Sequence, residues 1–299
     1  MNRLFKSQEF HYHIMLLPVF ILFFLFSILP LYGITLAFKR FIPTKGVMGS
    51  PWVGLEHYKY LLMNPEIYQV FYNTVFIAVF KMVTMLIIPI VLALMLNELR
   101  GKVFKRTVQT ITYLPHFLSW VILAGIFRDI LSTNGIINSF INSLFGIEPV
   151  SFLGSNTWFQ PIMIITNTWK EMGFSTVIYL AALTSINPVL YEAAEIDGAS
   201  RMRKLWHVTL PGISMTIALL ATLSLNGVLN AGFDQIFNMY SVLVYETGDI
   251  IDTWVFRNGL MGAQYEIGTA ISLVNSLFGL LLISITYTLA YKLAKYRIF

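Results

Sequence analysis

Residues Ile14 to Phe38 read IMLLPVFILFFLFSILPLYGITLAF, 25 positions without one charged side chain. A helix rises ~1.5 Å per residue, so ~20 apolar residues cross the ~30 Å hydrocarbon core of a bilayer. The block exceeds the ~7–15 apolar residues of a cleavable signal peptide, and no small-x-small cleavage site follows it, so it is expected to persist as a helix. Working outward, comparable blocks run over 72–96, 107–127, 158–183, 208–233 and 267–293. The expected fold is therefore an all-α membrane protein of six transmembrane helices. Residues 1–13 and 294–299 form the two tails, 14–38 the first span, and 72–293 a core of five.

Composition agrees with that reading. Of 299 residues 57% are hydrophobic and only 12% charged, against ~25% charged in soluble domains. With no cysteine, disulfide frameworks, thiol catalysis and Cys-ligated metals are excluded. The net charge of +5 forms no Arg/Lys stripe on a soluble segment, so no nucleic acid partner is expected. Arg3, Lys6, Arg100, Lys102, Lys105, Arg106, Arg201, Arg203, Lys204, Lys292, Lys295 and Arg297 fall on one side of the six-span scheme; Lys39, Arg40, Lys45, Lys59, Arg128 and Arg257 fall on the other. Both termini are expected in the cytoplasm. Lys39 and Arg40 run against the trend and are accommodated by snorkelling to the interface. The outer loops 128–157 and 234–266 are too long for simple turns. Their aromatics, with Trp158, Tyr240, Tyr245, Trp254 and Tyr265, serve either as an interfacial belt or as a surface for an external partner.

The fourth loop is more patterned than a free connection needs to be. Asn187 is a good N-cap, Pro188 a good first helical residue, Gly198 a left-handed stop and Ser200 a second cap, which predicts a helix-turn-helix elbow over 187–207 outside the bilayer. Ala193, Ala194 and Ile196 are small or apolar, while Glu192, Glu195 and Asp197 are acidic, a combination suited to close approach and directional pairing with Arg.

The run Glu192-Ala193-Ala194, then Gly198, then Val208-x-Leu210-Pro211 resembles the EAA-x3-G-x9-I-x-LP motif of permease subunits of bacterial ABC importers. Only Val208, in place of isoleucine, departs from it. Tyr179 to Leu183 with Ile186 to Glu192 resembles the carbohydrate-uptake branch, and Tyr113-Leu114-Pro115-His116-Phe117 with Ser119-Trp120 resembles its polysaccharide-type permeases. The resemblance implies a type I importer fold in which the elbow is a cytoplasmic coupling helix. Glu192, Ala193, Ala194, Asp197, Gly198, Leu210 and Pro211 would couple it to an ATP-binding cassette ATPase dimer. It further implies a second homologous permease, forming a heterodimer, an extracytoplasmic solute-binding protein, and residence in the bacterial inner membrane. No G-x4-G-K-[ST] phosphate loop occurs, since Gly101-Lys102 precedes Val103 and lacks the leading glycine. The chain is thus expected to be no enzyme and to bind no cofactor or metal, with ATP and Mg on the partner ATPase.

Ionisable groups inside apolar spans are costly and mark pairs or wet paths. Lys81, Lys170 and Glu171 qualify, and Asn167 and Trp169 extend a polar belt across the fourth span. Neighbouring Lys170 and Glu171 point in different directions on a helix, so a direct pair is not assured. Asn226 and Asn230, four apart in the fifth span, are expected on one helical face. These six, Asn167, Trp169, Lys170, Glu171, Asn226 and Asn230, are the candidates for a solute path. Amides, a carboxylate and an aromatic suit a sugar; the alternative is interhelical bonding that holds the bundle. His116 is expected to be structural. Rival functions are the same permease role with a non-sugar cargo, and a secondary transporter whose ion would need Glu171, the acid in a confident span.

Overall fold

The computed structural model describes residues 8–99, 101–227 and 229–294. Arg3, Lys6, Arg100, Lys295 and Arg297 of the orientation argument, and the side chains of Asn226 and Lys292, lie outside the described set. Secondary structure among the described residues is helical, apart from one isolated antiparallel bridge between Lys39 and Trp52. Five helical runs are long and apolar enough to cross a membrane: His11–Phe38, Pro65–Glu98, Trp120–Phe145, Arg201–Ser224 and Tyr265–Ile285. The sixth is Asn156–Thr184 taken with Pro188–Ile196, bent by 66° at the junction. The chain divides into two compact units, one of residues up to 65 with 254–276, the other of 66–253 with the remainder.

In the first unit α1 (Gln8–Phe23) continues through a π turn at Phe24–Ile28 and a 3-10 stretch at Leu29–Phe38. None of its most apolar window is buried, and Phe20 and Phe26 stand 68% and 75% exposed. Such a surface is unsuited to water and calls for an apolar surrounding. Lys39 corrects the snorkelling expectation. It is buried, its Nζ donating to the carbonyls of Val47 at 2.8 Å and Met48 at 3.3 Å, 4.9 Å from the Trp52 ring centroid. Arg40 instead forms a surface ion pair with Glu56 at 2.8 Å, at the start of α2 (Glu56–Met63).

The second unit is organised on α3 (Pro65–Glu98), α4 (Lys102–Tyr113), α5 (Trp120–Leu131), α6 (Ile136–Phe145), α7 (Asn156–Thr184), α8 (Pro188–Ile196), α9 (Arg201–Lys204), α10 (Leu210–Ser224) and α11 (Phe233–Met239). The last helix, α12, spans Tyr265–Ala294. α3 and α7 run in the same direction. Thr84 meets Thr168 at 2.7 Å, the Thr176 hydroxyl reaches the Pro89 carbonyl at 3.4 Å, and Leu96 clusters with Leu180 and Leu183. One apolar cluster, around Ile77, Phe159, Met163 and Ile236, packs the first halves of α3 and α7. Another, around Ala93, Leu96, Tyr179, Leu183 and Ile213, packs the ends nearest the elbow. α4 approaches α7 so closely that a Cβ on Gly173 would lie 2.1 Å from the Thr112 carbonyl oxygen, the small-residue packing by which membrane helices associate.

Two expected helices are interrupted. The span expected over 107–127 is α4, a 3-10 turn at Leu114–Phe117, and then α5. Pro115 offers no N–H to the ladder, the chain turns extended at Leu118, and the Ser119 hydroxyl caps the new helix by accepting from the Ile122 N–H. The span expected over 208–233 opens with a π turn at Leu205–Thr209, is helical in α10, tightens to 3-10 at Leu225–Gly227 and is non-helical over 229–232, before α11. The Asn230 carboxamide oxygen accepts from the Gly232 N–H at 3.0 Å, and Gly232 sits at φ +91°, left-handed backbone that glycine adopts without steric cost. Asn226 and Asn230 therefore share no helical face.

Candidate functional site: an elbow and a polar layer

The elbow forms at the bend between α7 and α10. The Asn187 side chain accepts from the Val189 N–H at 3.0 Å and Pro188 opens α8, satisfying a donor that a helix start leaves unpaired. Gly198, at φ +70°, ends α8, and the Ala199 N–H returns to the Ala194 carbonyl at 2.8 Å. Ser200 caps α9. Two bonds then tie the arms together: Lys204 Nζ to Glu195 Oε1 at 2.6 Å, and the Tyr191 hydroxyl to Thr209 Oγ1 at 3.0 Å. The Lys204 hydrogen bond, and then its charge, hold the Glu195 carboxyl below the usual carboxylate range.

This brace leaves Glu192 and Asp197 exposed and in no ion pair among the described residues. Ala193 is exposed and Ala194 half-buried. Around them Ile196 is 87% exposed, with Val189, Met202 and Trp206 also well exposed. The elbow thus holds an acidic, partly apolar surface rigidly at the end of two spans. Leu210 and Pro211 belong elsewhere. Pro211 is in the first turn of α10, and Leu210 packs against the Ile213 cluster, so they anchor the elbow to its span.

The polar layer forms where α4, α5 and α7 meet. Buried Lys170 donates to Glu171 Oε1 at 2.7 Å and to the His116 carbonyl at 3.0 Å, with the Trp120 ring centroid 5.7 Å away. Glu171 Oε2 lies 2.7 Å from His116 Nδ1, and the imidazole stacks on Phe174 with centroids 4.4 Å apart. Lys170 and Glu171 do pair, because Glu171 points back toward the break before α5. His116, expected to be structural, is the third member of an ionisable cluster. The available signal was that intramembrane charges come in partnered sets, and His116 was the remaining ionisable group of the third block.

Further along α7, Asn167 is half-buried with no side-chain hydrogen bond among the described residues, and Trp169 is 40% exposed, edge-on to Phe127. Asn230 is exposed in the unwound stretch after α10. Lys81, from the middle of α3, donates to the Ala231 carbonyl at 2.6 Å and to Gln235 Oε1. The Gln235 amide in turn donates to the Met163 carbonyl at 2.9 Å and to Thr166 Oγ1 at 2.8 Å. Gln235 carried no signal in the sequence, since it lies beyond the expected end of its span.

Residues 85–296 match the family described as binding-protein-dependent transport system inner membrane component, and the chain belongs to that family. It is 39% identical to the polygalacturonan/rhamnogalacturonan transport system permease protein YteP of Bacillus subtilis, over 98% of this chain and 91% of the relative. It is 40% identical to Protein LplB of the same organism, over 91% and 85%. Among solved structures, a bacterial ABC transporter involved in import of the acidic polysaccharide alginate superposes with TM-score 0.89 at 38% identity, over 98% of this chain and 99% of that one. A bacterial alginate ABC transporter in complex with an alginate pentasaccharide-bound periplasmic protein gives TM-score 0.88 at 37% identity, over 97% of each chain.

Proposed function

We propose that this chain is one permease of a heterodimeric ATP-driven importer that admits acidic oligosaccharides released from a polysaccharide. The elbow faces the cytoplasm, as do both termini, and docks into an ATPase dimer that holds ATP and Mg. A second homologous permease completes the translocation path, and an extracytoplasmic solute-binding protein delivers cargo to the outer loops of the bacterial cell membrane. ATP-driven closure of the ATPases pushes the elbow, and α7 and α10 carry the motion as rigid bodies into alternating access. Asn167, Trp169, Lys170, Glu171, Asn226 and Asn230 belong to the region the cargo crosses. The half-buried Asn167 amide and the Trp169 face supply the hydrogen bonds and stacking that a sugar ring takes.

The observation carrying this reading is the brace: two cross-links and two caps fix a short helix whose unused groups, Glu192 and Asp197, face outward. A lipid-resting helix would not present an acidic face to anionic headgroups. The acidic cargo is supported by the polygalacturonan and alginate systems among the relatives. An ion-driven carrier is disfavoured because Glu171, the acid it would need, already meets Lys170 and His116. In proteoliposomes holding the whole complex, Glu192→Lys and Gly198→Leu should each lower uptake more than tenfold and abolish stimulation of ATPase by the loaded binding protein, while the subunits still co-purify or the variant remains in the membrane. Wild-type uptake by both variants overturns the coupling role.

A further inference from the structure

Two lysines lie deep in the second unit, and they are compensated differently. Lys170 has a carboxylate at 2.7 Å. Lys81 is 6% exposed, and its partners are the Ala231 carbonyl and the Gln235 amide oxygen, with no carboxylate among the described residues. It stands midway along the 34 residues of α3, ~26 Å from the elbow end at ~1.5 Å per residue, near the middle of an apolar helix long enough to cross ~30 Å of hydrocarbon. An ionisable group at that depth with dipoles but no counter-charge is costly to keep charged and by default marks a functional path.

The place it occupies gives the second observation. Its ammonium lies against the unwound stretch between α10 and α11. A Cβ on Gly232 would sit 3.0 Å from Nζ, and the next residue back along the chain from Ala231, Asn230, is exposed. Non-helical backbone at membrane depth is tolerated where it is enclosed by protein or lines a wet cavity, and broken helices of transporters build their solute sites there. A broken span backed by an uncompensated cation is therefore a positive region on the route. In low dielectric such a charge acts over several ångströms without direct contact.

We propose that Lys81 is a specificity-determining residue: its uncompensated charge behind the break in the fifth span selects cargo bearing carboxylates over neutral oligosaccharides of the same length. The assignment rests on the acidic-cargo reading above. The test uses the complete complex in proteoliposomes with two probes in competition, a short oligogalacturonate and a neutral galacto-oligosaccharide of equal length. The wild type prefers the oligogalacturonate. Lys81→Met lowers that preference about tenfold while uptake of the neutral probe changes less than threefold, and Lys81→Arg retains the preference. Should Lys81→Met fail to assemble, Lys81→Gln keeps a donor for the Ala231 carbonyl, removes the charge and gives the same shift. Equal loss of both probes in the charge-removing variants, or an unmoved preference, assigns Lys81 to packing and overturns the proposal. A wild type that prefers the neutral probe overturns the cargo reading itself, and this is seen before any substitution is made.

Discussion

The elbow and the polar layer both use charged and amide side chains, yet their partners come from different distances along the chain. In the elbow the bonds span two, three, nine and eighteen positions. In the layer and its extension to Lys81 they span 54, 55, 69, 72, 150 and 154, the adjacent Lys170–Glu171 contact aside. A locally bonded device keeps its shape when its surroundings move, which suits a part that is pushed. A layer assembled from several helices changes whenever those helices shift, so its bonds report on the packing of the whole bundle.

Substitutions separate the two regions by where their effects appear. The largest effect is expected at Gly173→Leu, whose Cβ meets backbone of α4 that cannot step aside; overpacking of this kind costs about 3 kcal/mol or more. The yield of monodisperse complex in detergent should collapse, and wild-type yield would show that the layer does not depend on the α4–α7 approach. Lys170→Met leaves Glu171 only its His116 contact and should cost roughly 2 kcal/mol, the range for a lost hydrogen bond to a charged group. The double variant Lys170→Met/Glu171→Leu should regain much of it in thermal unfolding, and a double variant no better than the single removes the pairing argument. Gly198→Ala forces a side chain into left-handed backbone at about 1–2 kcal/mol. The consequence should stay local, as faster hydrogen exchange over 187–200 with an unchanged melting temperature; a global loss would erase the contrast between the regions.

Smallest is the pH response of the brace. Because the Glu195 carboxyl is held below its ordinary range by Lys204, its contribution is complete above the ordinary carboxylate pKa and fades as pH falls through the lowered one. Exchange protection of the elbow should weaken slightly on acidification, and Lys204→Ala should remove that dependence. An elbow whose acid response survives Lys204→Ala does not owe it to this pair.

The same difference in range explains what the sequence disclosed. The caps of the elbow, Asn187, Pro188, Gly198 and Ser200, are written in residues a few positions apart, and α8 and α9 begin and end where those residues put them. The breaks after Tyr113 and Gly227 were hidden because a run such as 208–233 stays apolar while its backbone unwinds. What holds the second break is Lys81 from another span, which no local period encodes. His116 was legible as an ionisable group but not as a partner of Glu171, since the meeting depends on how α4 turns at Pro115. Lys39 illustrates the converse. Its place after an apolar block suggested an interface, and the loop folds over it instead.

The shared direction of α3 and α7 has a consequence for biogenesis. Lys81 and Thr84 enter the bilayer with α3, but their partners lie 150 and 84 positions further on. At ~5–20 residues per second the ribosome needs on the order of 10 s to deliver the Ala231 carbonyl. Throughout that interval the Lys81 side chain lacks the partners that seat it in the finished interior.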